Sequence, residues 1–433
     1  MSFDQTVALT VLVAVVAALI WGKLRSDVVA LTGAAVLLGT GTVRPVEVQG
    51  AFASPALIAL ASLFVIAYAM ELSGLLGAAI RLAVGLCRRL GALGVWILVA
   101  GCGAVSSVLN NTPIVVLATP VVREASSALG LSPRRFLIPL SYATILGGSC
   151  TLIGTSTNLL VNDMARNAGQ PGFSLFEITP AALPVAIAGA VYLFLVAAPL
   201  LARGEDARAA REAPAPADVG SELGDVSLYA AADRPLQPRK AAITLVVFVL
   251  VVAAAGVGLA PIAATAFSGA VALVLLGAIG PDEAYRGLKP EILLLIAGMV
   301  VVGLALEVTE LASTATTALL GSIQGVGPTT ALALLYGGTL LLTEVLSNAA
   351  VAVLITPLAV ALAETLGVSP RPFMVAVMLA ASAAFATPFG YQTNVLVFHA
   401  GRYRYLDFVR VGLPMNLLTW LVGVIAIPRV FPF

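Results

Sequence analysis

Polar positions are rare along this chain and fall in two registers. Apolar runs occupy roughly 6–21, 27–43, 55–74, 136–161 and 181–201, then 241–259, 262–280, 290–310, 373–398 and 412–428. Most are long enough to cross a bilayer, which takes about 20 residues, and each predicts a membrane helix. Between the third and fourth run of each set lies a shorter apolar stretch with polar residues at its middle. The first reads LNNTPIVVLATP at 109–120 and the second VLSNAAVAVLITP at 345–357. Further polar breaks, GGSCTLIGTSTN at 147–158 and ATPFGYQTN at 386–394, interrupt the fourth run of each set.

The two sets are copies of one unit. With Asn111 placed on Asn348, GLSPRRF (130–136) falls on GVSPRPF (367–373) without a gap. One deletion later GTSTNLLV (154–161) falls on GYQTNVLV (390–397). The predicted organisation is a first repeat over 1–202, a linker over 203–240 rich in charge, Ala and Pro, and a second repeat over 241–433. Five crossings per copy is odd, so the copies are expected to lie inverted in the membrane. That is the pattern of secondary transporters. The fold class that follows is an all-α polytopic membrane protein, with five membrane segments and one re-entrant hairpin per copy and helices broken at mid-membrane.

Composition agrees with this class. Of 433 residues, 60% are hydrophobic and 10% charged, against about 25% charged in soluble domains. With the N-terminus outside and both motif stretches returning to their own side, 19 of the 23 Lys and Arg residues fall inside, leaving Arg44, Arg166, Arg371 and Arg429 outside. The linker is then cytosolic and both termini are outside. The setting is a multi-pass protein of the cell's inner (plasma) membrane. The first run follows Asp4 rather than a basic segment and is expected to be retained. Three scattered cysteines imply neither a disulfide framework nor a metal cluster, and no basic tract points to nucleic acid. Nothing indicates an enzyme; GGSCTLIGTS lacks the Gly-Lys-Ser/Thr core of a phosphate loop.

Irregular backbone at membrane depth is tolerated only when buried in protein or lining an aqueous cavity. A helix break presents carbonyls from one half-helix and N–H groups from the other. The former, with Asn and Ser oxygens, suit a hard cation, and the latter an anion. Two cation sites flanking one anion site is therefore the expected arrangement. A single Ser or Thr within a membrane helix more often bonds only to a neighbouring helix, but Asn recurs beside a break at the same offset in both copies. Glu344, beside the second tip, is a candidate by location, although Ser107 stands at its place in the first copy. Glu71 and Glu307 read as structural, and His399 as interfacial.

The stretches LNNTPIVV, PLSYATILGGSCTLIGTSTNLLVN, PDEAYRGLKPEILLLIAGM, FATPFGYQTNVLVF and YRYLDFVRVGLPMNLL resemble the divalent anion:sodium symporters, which include sodium/dicarboxylate and sodium/sulfate cotransporters. The sulfate-permease branch is especially similar; its members usually carry paired regulatory domains where this chain has only the linker. The resemblance implies two Na+ sites. The first would use Ser106, Asn110, Asn111 and the backbone at Gly154, and the second Thr343, the backbone at Leu346, Asn348 and the backbone at Gly390. It places the substrate among Asn111, Thr112, Thr155, Ser156, Ser347 and Asn348, with Tyr391 and Gln392 opposite. It further implies a homodimer and elevator-type movement. The family's Ser-Asn-Thr triplet is altered in both copies, to Asn110-Asn111-Thr112 and Ser347-Asn348-Ala349. The loss of a tip hydroxyl at Ala349 and the bulk of Tyr391 and Gln392 favour a compact oxyanion such as sulfate over a dicarboxylate. The alternatives are a sodium- or proton-coupled dicarboxylate carrier and a transport-inactive sensor or channel on the same fold.

Overall fold

A computed structural model describes residues 2–21, 24–75, 77–78, 89–201, 235–311, 314, 327–388 and 390–433. Within them every regular element is helical. The first half contains α1 (Phe3–Trp21), α2 (Ser26–Gly39), α3 (Pro45–Phe52), α4 (Pro55–Leu72), α5 (Ala92–Ser106), α6 (Asn111–Ala128), α7 (Arg134–Gly148), α8 (Ser156–Asn167) and α9 (Thr179–Leu201). The second contains α10 (Pro238–Gly256), α11 (Ile262–Leu275), α12 (Pro281–Gly287), α13 (Pro290–Val308), α14 (Pro328–Thr343), α15 (Asn348–Thr365), α16 (Arg371–Ser382), α17 (Gln392–Ala400) and α18 (Tyr405–Val430).

Among the described residues six spans, including Pro45–Leu72, Thr179–Leu201 and Pro290–Val308, are long and apolar enough to cross a bilayer, and shorter apolar helices accompany them. The chain is a multi-pass membrane protein. The expected linker lies mostly outside the described residues. Its last part differs from expectation, because α10 begins at Pro238 and takes in Arg239 and Lys240. Just before it, the Gln237 N–H donates to the Ser73 carbonyl at the end of α4 (2.9 Å), which fixes where the second half begins.

Two short helices, α3 and α12, lie outside the runs the sequence defined. Each starts with proline at its first position, where the missing N–H costs nothing. In each, a glutamate two residues after that proline reaches back to the capping N–H: Arg44 N to Glu47 Oε2 at 2.7 Å, Gly280 N to Glu283 Oε2 at 2.9 Å. Their two turns are too short to announce themselves by periodicity.

The halves pack crosswise. Helix α2 lies on α13 and α11 on α4, α6 on α17 and α15 on α8. Within each half the first arm of the hairpin packs on the first piece of the broken helix, α5 on α7 and α14 on α16. Small residues permit the α5–α7 approach. A Cβ on Gly147 would stand 1.9 Å from the Gly103 carbonyl oxygen, so both positions demand glycine and the backbones meet directly. Two ion pairs also cross between the halves. Arg134, at the start of α7, meets Asp407 of α18 at 2.6 Å, and Arg371, at the start of α16, meets Glu177 just before α9. Each guanidinium also lies over an aromatic ring of the other half, Arg134 on Tyr403 (5.0 Å) and Arg371 on Phe173 (4.2 Å).

Candidate functional site: two hairpin tips and two helix breaks

The first tip, residues 107–110, joins α5 to α6. Asn110 caps α6, its Oδ1 accepting from Thr112 N at 3.4 Å. Asn111 is buried and its amide points two ways. Oδ1 accepts from the Ser106 hydroxyl at 2.5 Å, and Nδ2 donates to the Tyr391 hydroxyl of the other half at 2.8 Å. Beside it, Thr112 Oγ1 donates to Gln392 Oε1 at 3.3 Å. Thr155, buried at the N-cap of α8, has its Oγ1 3.4 Å from Thr157 Oγ1.

The first break, 149–155, closes on this tip. The Thr151 hydroxyl donates to the Ser107 carbonyl and accepts from Gly154 N at 3.2 Å, while Asn158 Nδ2 donates to the Thr151 carbonyl at 2.8 Å. Oxygens crowd the space between tip and break. A Cβ on Gly148 would lie 2.5 Å from Asn111 Oδ1 and 3.1 Å from the Gly154 carbonyl oxygen; one on Gly154 would lie 2.4 Å from the Gly148 oxygen and 2.8 Å from the Ser107 oxygen. Only glycine leaves that notch open. The expected first-site residues Ser106, Asn111 and Gly154 thus come together. Asn110 and Ser156 face outward, with Gly154, onto a cavity of about 20 Å³ walled by Leu60 and Phe64 of α4, which has room for about one water.

The second tip, 344–347, repeats much of this. Ser347 caps α15 (Ala350 N to Oγ, 3.3 Å), and Thr343 Oγ1 donates to Asn348 Oδ1 at 2.8 Å and to the Ala381 carbonyl at 2.6 Å. Thr387 does in the second break what Thr151 does in the first: its hydroxyl donates to the Glu344 carbonyl at 3.2 Å and accepts from Gly390 N at 3.0 Å. Asn394 Nδ2 likewise donates to the Thr387 carbonyl at 3.2 Å. Leu346 is buried, and its N–H returns to the Leu342 carbonyl at 2.9 Å. Ser347 and Asn348 hydrogen-bond within their own half, as does Thr155, whereas Asn111 and Thr112 bond across to Tyr391 and Gln392.

Glu344 is the departure from symmetry. Oε1 accepts from Phe385 N (2.9 Å), Ala386 N (2.7 Å) and Asn416 Nδ2 (2.7 Å), and Oε2 from Thr387 N (2.8 Å). The other acidic candidates are elsewhere. Glu71 is in a paired environment, while Glu307 Oε2 is buried without a hydrogen-bond partner. His399 is exposed at the last turn of α17, edge-on to Phe398. Thr151, Thr387, Asn158, Asn394 and Asn416 were not singled out by sequence reasoning. Four of them stand in the matched break motifs at one offset, 236, and that recurrence was the available signal.

Non-helical backbone buried at two matched places, lined by carbonyls and amides, defines a membrane transporter rather than an enzyme. A sequence profile described as "Citrate transporter" matches residues 16–369. The chain belongs to that family, which meets the expectation raised by its resemblance to divalent anion:sodium symporters. An uncharacterized transporter of Synechocystis is 26% identical over 595 aligned positions, covering 96% of this chain and 95% of that protein. Sodium/sulfate cotransporter 1 of Chlamydomonas reinhardtii is 36% identical over 154 residues, 35% of this chain and 17% of that one. Among solved structures, the YdaH transporter of Alcanivorax borkumensis has a similar fold, with a TM-score of 0.64 at 16% identity over 88% of this chain and 86% of that chain.

Proposed function

We propose that this chain is a sodium-coupled symporter of a small divalent oxyanion, with sulfate as its principal substrate. The observation that carries the reading is the oxygen-lined notch between tip and break, where Asn111 Oδ1 and the Gly154, Gly148 and Ser107 carbonyls converge around two obligatory glycines. Such oxygens suit a bare monovalent cation. The start of α6 meets the residue capping α17 through the Asn111–Tyr391 bond, and helix N-termini favour an anion. The Thr343–Asn348 pair supplies the second cation site with the backbone at Gly390. The relatives named sodium/sulfate cotransporters support both the cation and the anion.

The crosswise helix pairs support two inverted repeats, working as a homodimer in which tips and broken helices move together as an elevator. Two sodium ions per divalent anion make transport electroneutral, since a third would carry one net charge worth ~2.3 kcal/mol per 100 mV.

A dicarboxylate substrate is the second reading. It is favoured by the family description and by the similarity to a sodium-dependent dicarboxylate transporter of Staphylococcus saprophyticus, 33% identical over 110 residues. Uptake of labelled sulfate into proteoliposomes, with and without a sodium gradient and in competition with thiosulfate, succinate and citrate, decides between them. Stronger displacement by succinate than by unlabelled sulfate overturns the choice of substrate. Uptake indifferent to sodium overturns the coupling.

A further inference from the structure

We propose that Glu344 is a positioning residue that makes the two cation sites unequal, holding the second break in its ligating shape and favouring the second site for the first cation. This rests on the sodium-coupled reading above. A carboxylate offers about four acceptor positions, and four donors already occupy this one: three consecutive backbone N–H groups and Asn416 Nδ2. Oε1 carries three of them and Oε2 one, so most of the carboxylate's accepting capacity is taken up by the backbone, and Glu344 acts chiefly through the loop it holds.

That backbone needs holding. After α16 the chain is non-helical over 383–388 and 390–391, and the N–H groups of Phe385, Ala386 and Thr387 all turn to this side chain. Gly390 and Tyr391 complete the same loop, so its shape sets both the Gly390 carbonyl and the hydroxyl that receives Asn111. At the first break the equivalent work is done by backbone: Ser149 N and Cys150 N bond to Ile145 and Gly147 carbonyls, and Leu152 N to Leu175. The hydroxyl of Ser107, standing at Glu344's place, donates back into its own helix, to the Ala104 carbonyl at 2.7 Å.

The charge matters as well as the shape. Among the described residues no ion pair includes Glu344, and its Oε2 lies 3.3 Å from where a Gly390 Cβ would stand. A negative charge against the backbone of one site, with a neutral serine at the other, raises cation affinity at the second site alone.

The test compares full-length wild type, Glu344→Gln and Asn416→Ala, purified and reconstituted. Glu344→Gln removes the charge and sets its amide N–H against a backbone donor. The half-saturating sodium concentration is expected to rise ~10-fold, on the scale of one hydrogen bond to a charged group, with little change in anion KM at saturating sodium. Asn416→Ala, which leaves the charge in place, is expected to shift the sodium curve the same way by a smaller factor. If Glu344→Gln is not monodisperse, the Asn416→Ala shift decides. An unchanged sodium curve, or a fall in maximal rate alone, overturns the proposal. Hydrogen exchange of a peptide covering 383–391, measured without sodium or anion, separates failure of this inference from failure of the sodium reading: wild-type protection in Glu344→Gln overturns the positioning role whatever the transport assay shows.

Discussion

The breaks at 149–155 and 383–391 are built from the same parts and held by different means. Both use a threonine hydroxyl that bridges a tip carbonyl and a glycine N–H, and both use an asparagine amide seven residues after that threonine to bind its carbonyl. The first then pairs N–H groups with backbone carbonyls, Ser149 and Cys150 to the preceding turn and Leu152 to Leu175. The second turns the N–H groups of Phe385, Ala386 and Thr387 to the carboxylate of Glu344 instead, and Pro388 contributes no N–H. Matched sequence motifs can therefore fix the same ligand geometry over two different backbone solutions. The second solution depends on a single side chain.

Mutations can test how deep the equivalence goes. The largest effects are expected at the asparagines. Asn111→Ala and Asn348→Ala should both fold and both lose sodium-dependent uptake, each leaving buried partners unsatisfied at ~1–3 kcal/mol per lost bond. Asn111 also holds Tyr391, so its variant should additionally weaken anion binding. Wild-type rates in either purified variant would remove that residue from the site.

Next come the glycines. A Cβ on Gly154 meets the Gly148 and Ser107 carbonyls at 2.4 and 2.8 Å, whereas one on Gly390 meets the Ala384 methyl at 2.8 Å and the Thr387 hydroxyl at 3.0 Å. Gly154→Ala should lower thermal stability by ~1–3 kcal/mol, as overpacking does, and Gly390→Ala by less, since side chains yield more readily than backbone. Equal losses on thermal unfolding would mean that the two breaks are equally rigid.

Sequence made part of this comparison visible in advance. The repeat offset, the two tips and the positions of both breaks were legible, because each rests on a polar residue where an apolar one would otherwise stand; the grouping of Ser106 and Thr343 with the asparagines came from the family resemblance. The unequal backbones were not legible. Whether an N–H finds a carbonyl along the chain or a carboxylate 41 to 43 residues away is a tertiary matter with no local period. For the same reason Tyr391 read as bulk in the substrate space, whereas it also accepts a bond from the opposite tip.

The threonine bridges offer a finer probe. Thr151→Val and Thr387→Val each remove two hydrogen bonds with little change in shape, and should slow uptake by comparable factors, ~10-fold for roughly 1–2 kcal/mol. A much larger loss at Thr387 in a sodium-saturated uptake assay would show the second break to be the weaker structure. The smallest effect is expected for Tyr391→Phe, which leaves the Asn111 amide without its acceptor. The anion KM should rise ~5-fold, for about 1 kcal/mol; an unchanged KM in labelled-anion uptake would leave that cross-half bond without a role in substrate binding.

The bonds that tie one half to the other also bear on how the protein is made. Asn111 awaits a partner 280 residues later in the chain, Arg134 one 273 later and Glu177 one 194 later. At ~5–20 residues per second, the first tip spends roughly 15 to 55 s in the membrane before Tyr391 has even been synthesised. Throughout that interval the Asn111 amide nitrogen, Arg134 and Glu177 lack the partners they find in the finished fold. A nascent chain stalled before residue 391 should therefore be a preferred target of membrane quality control, and one stalled after residue 407 should escape it.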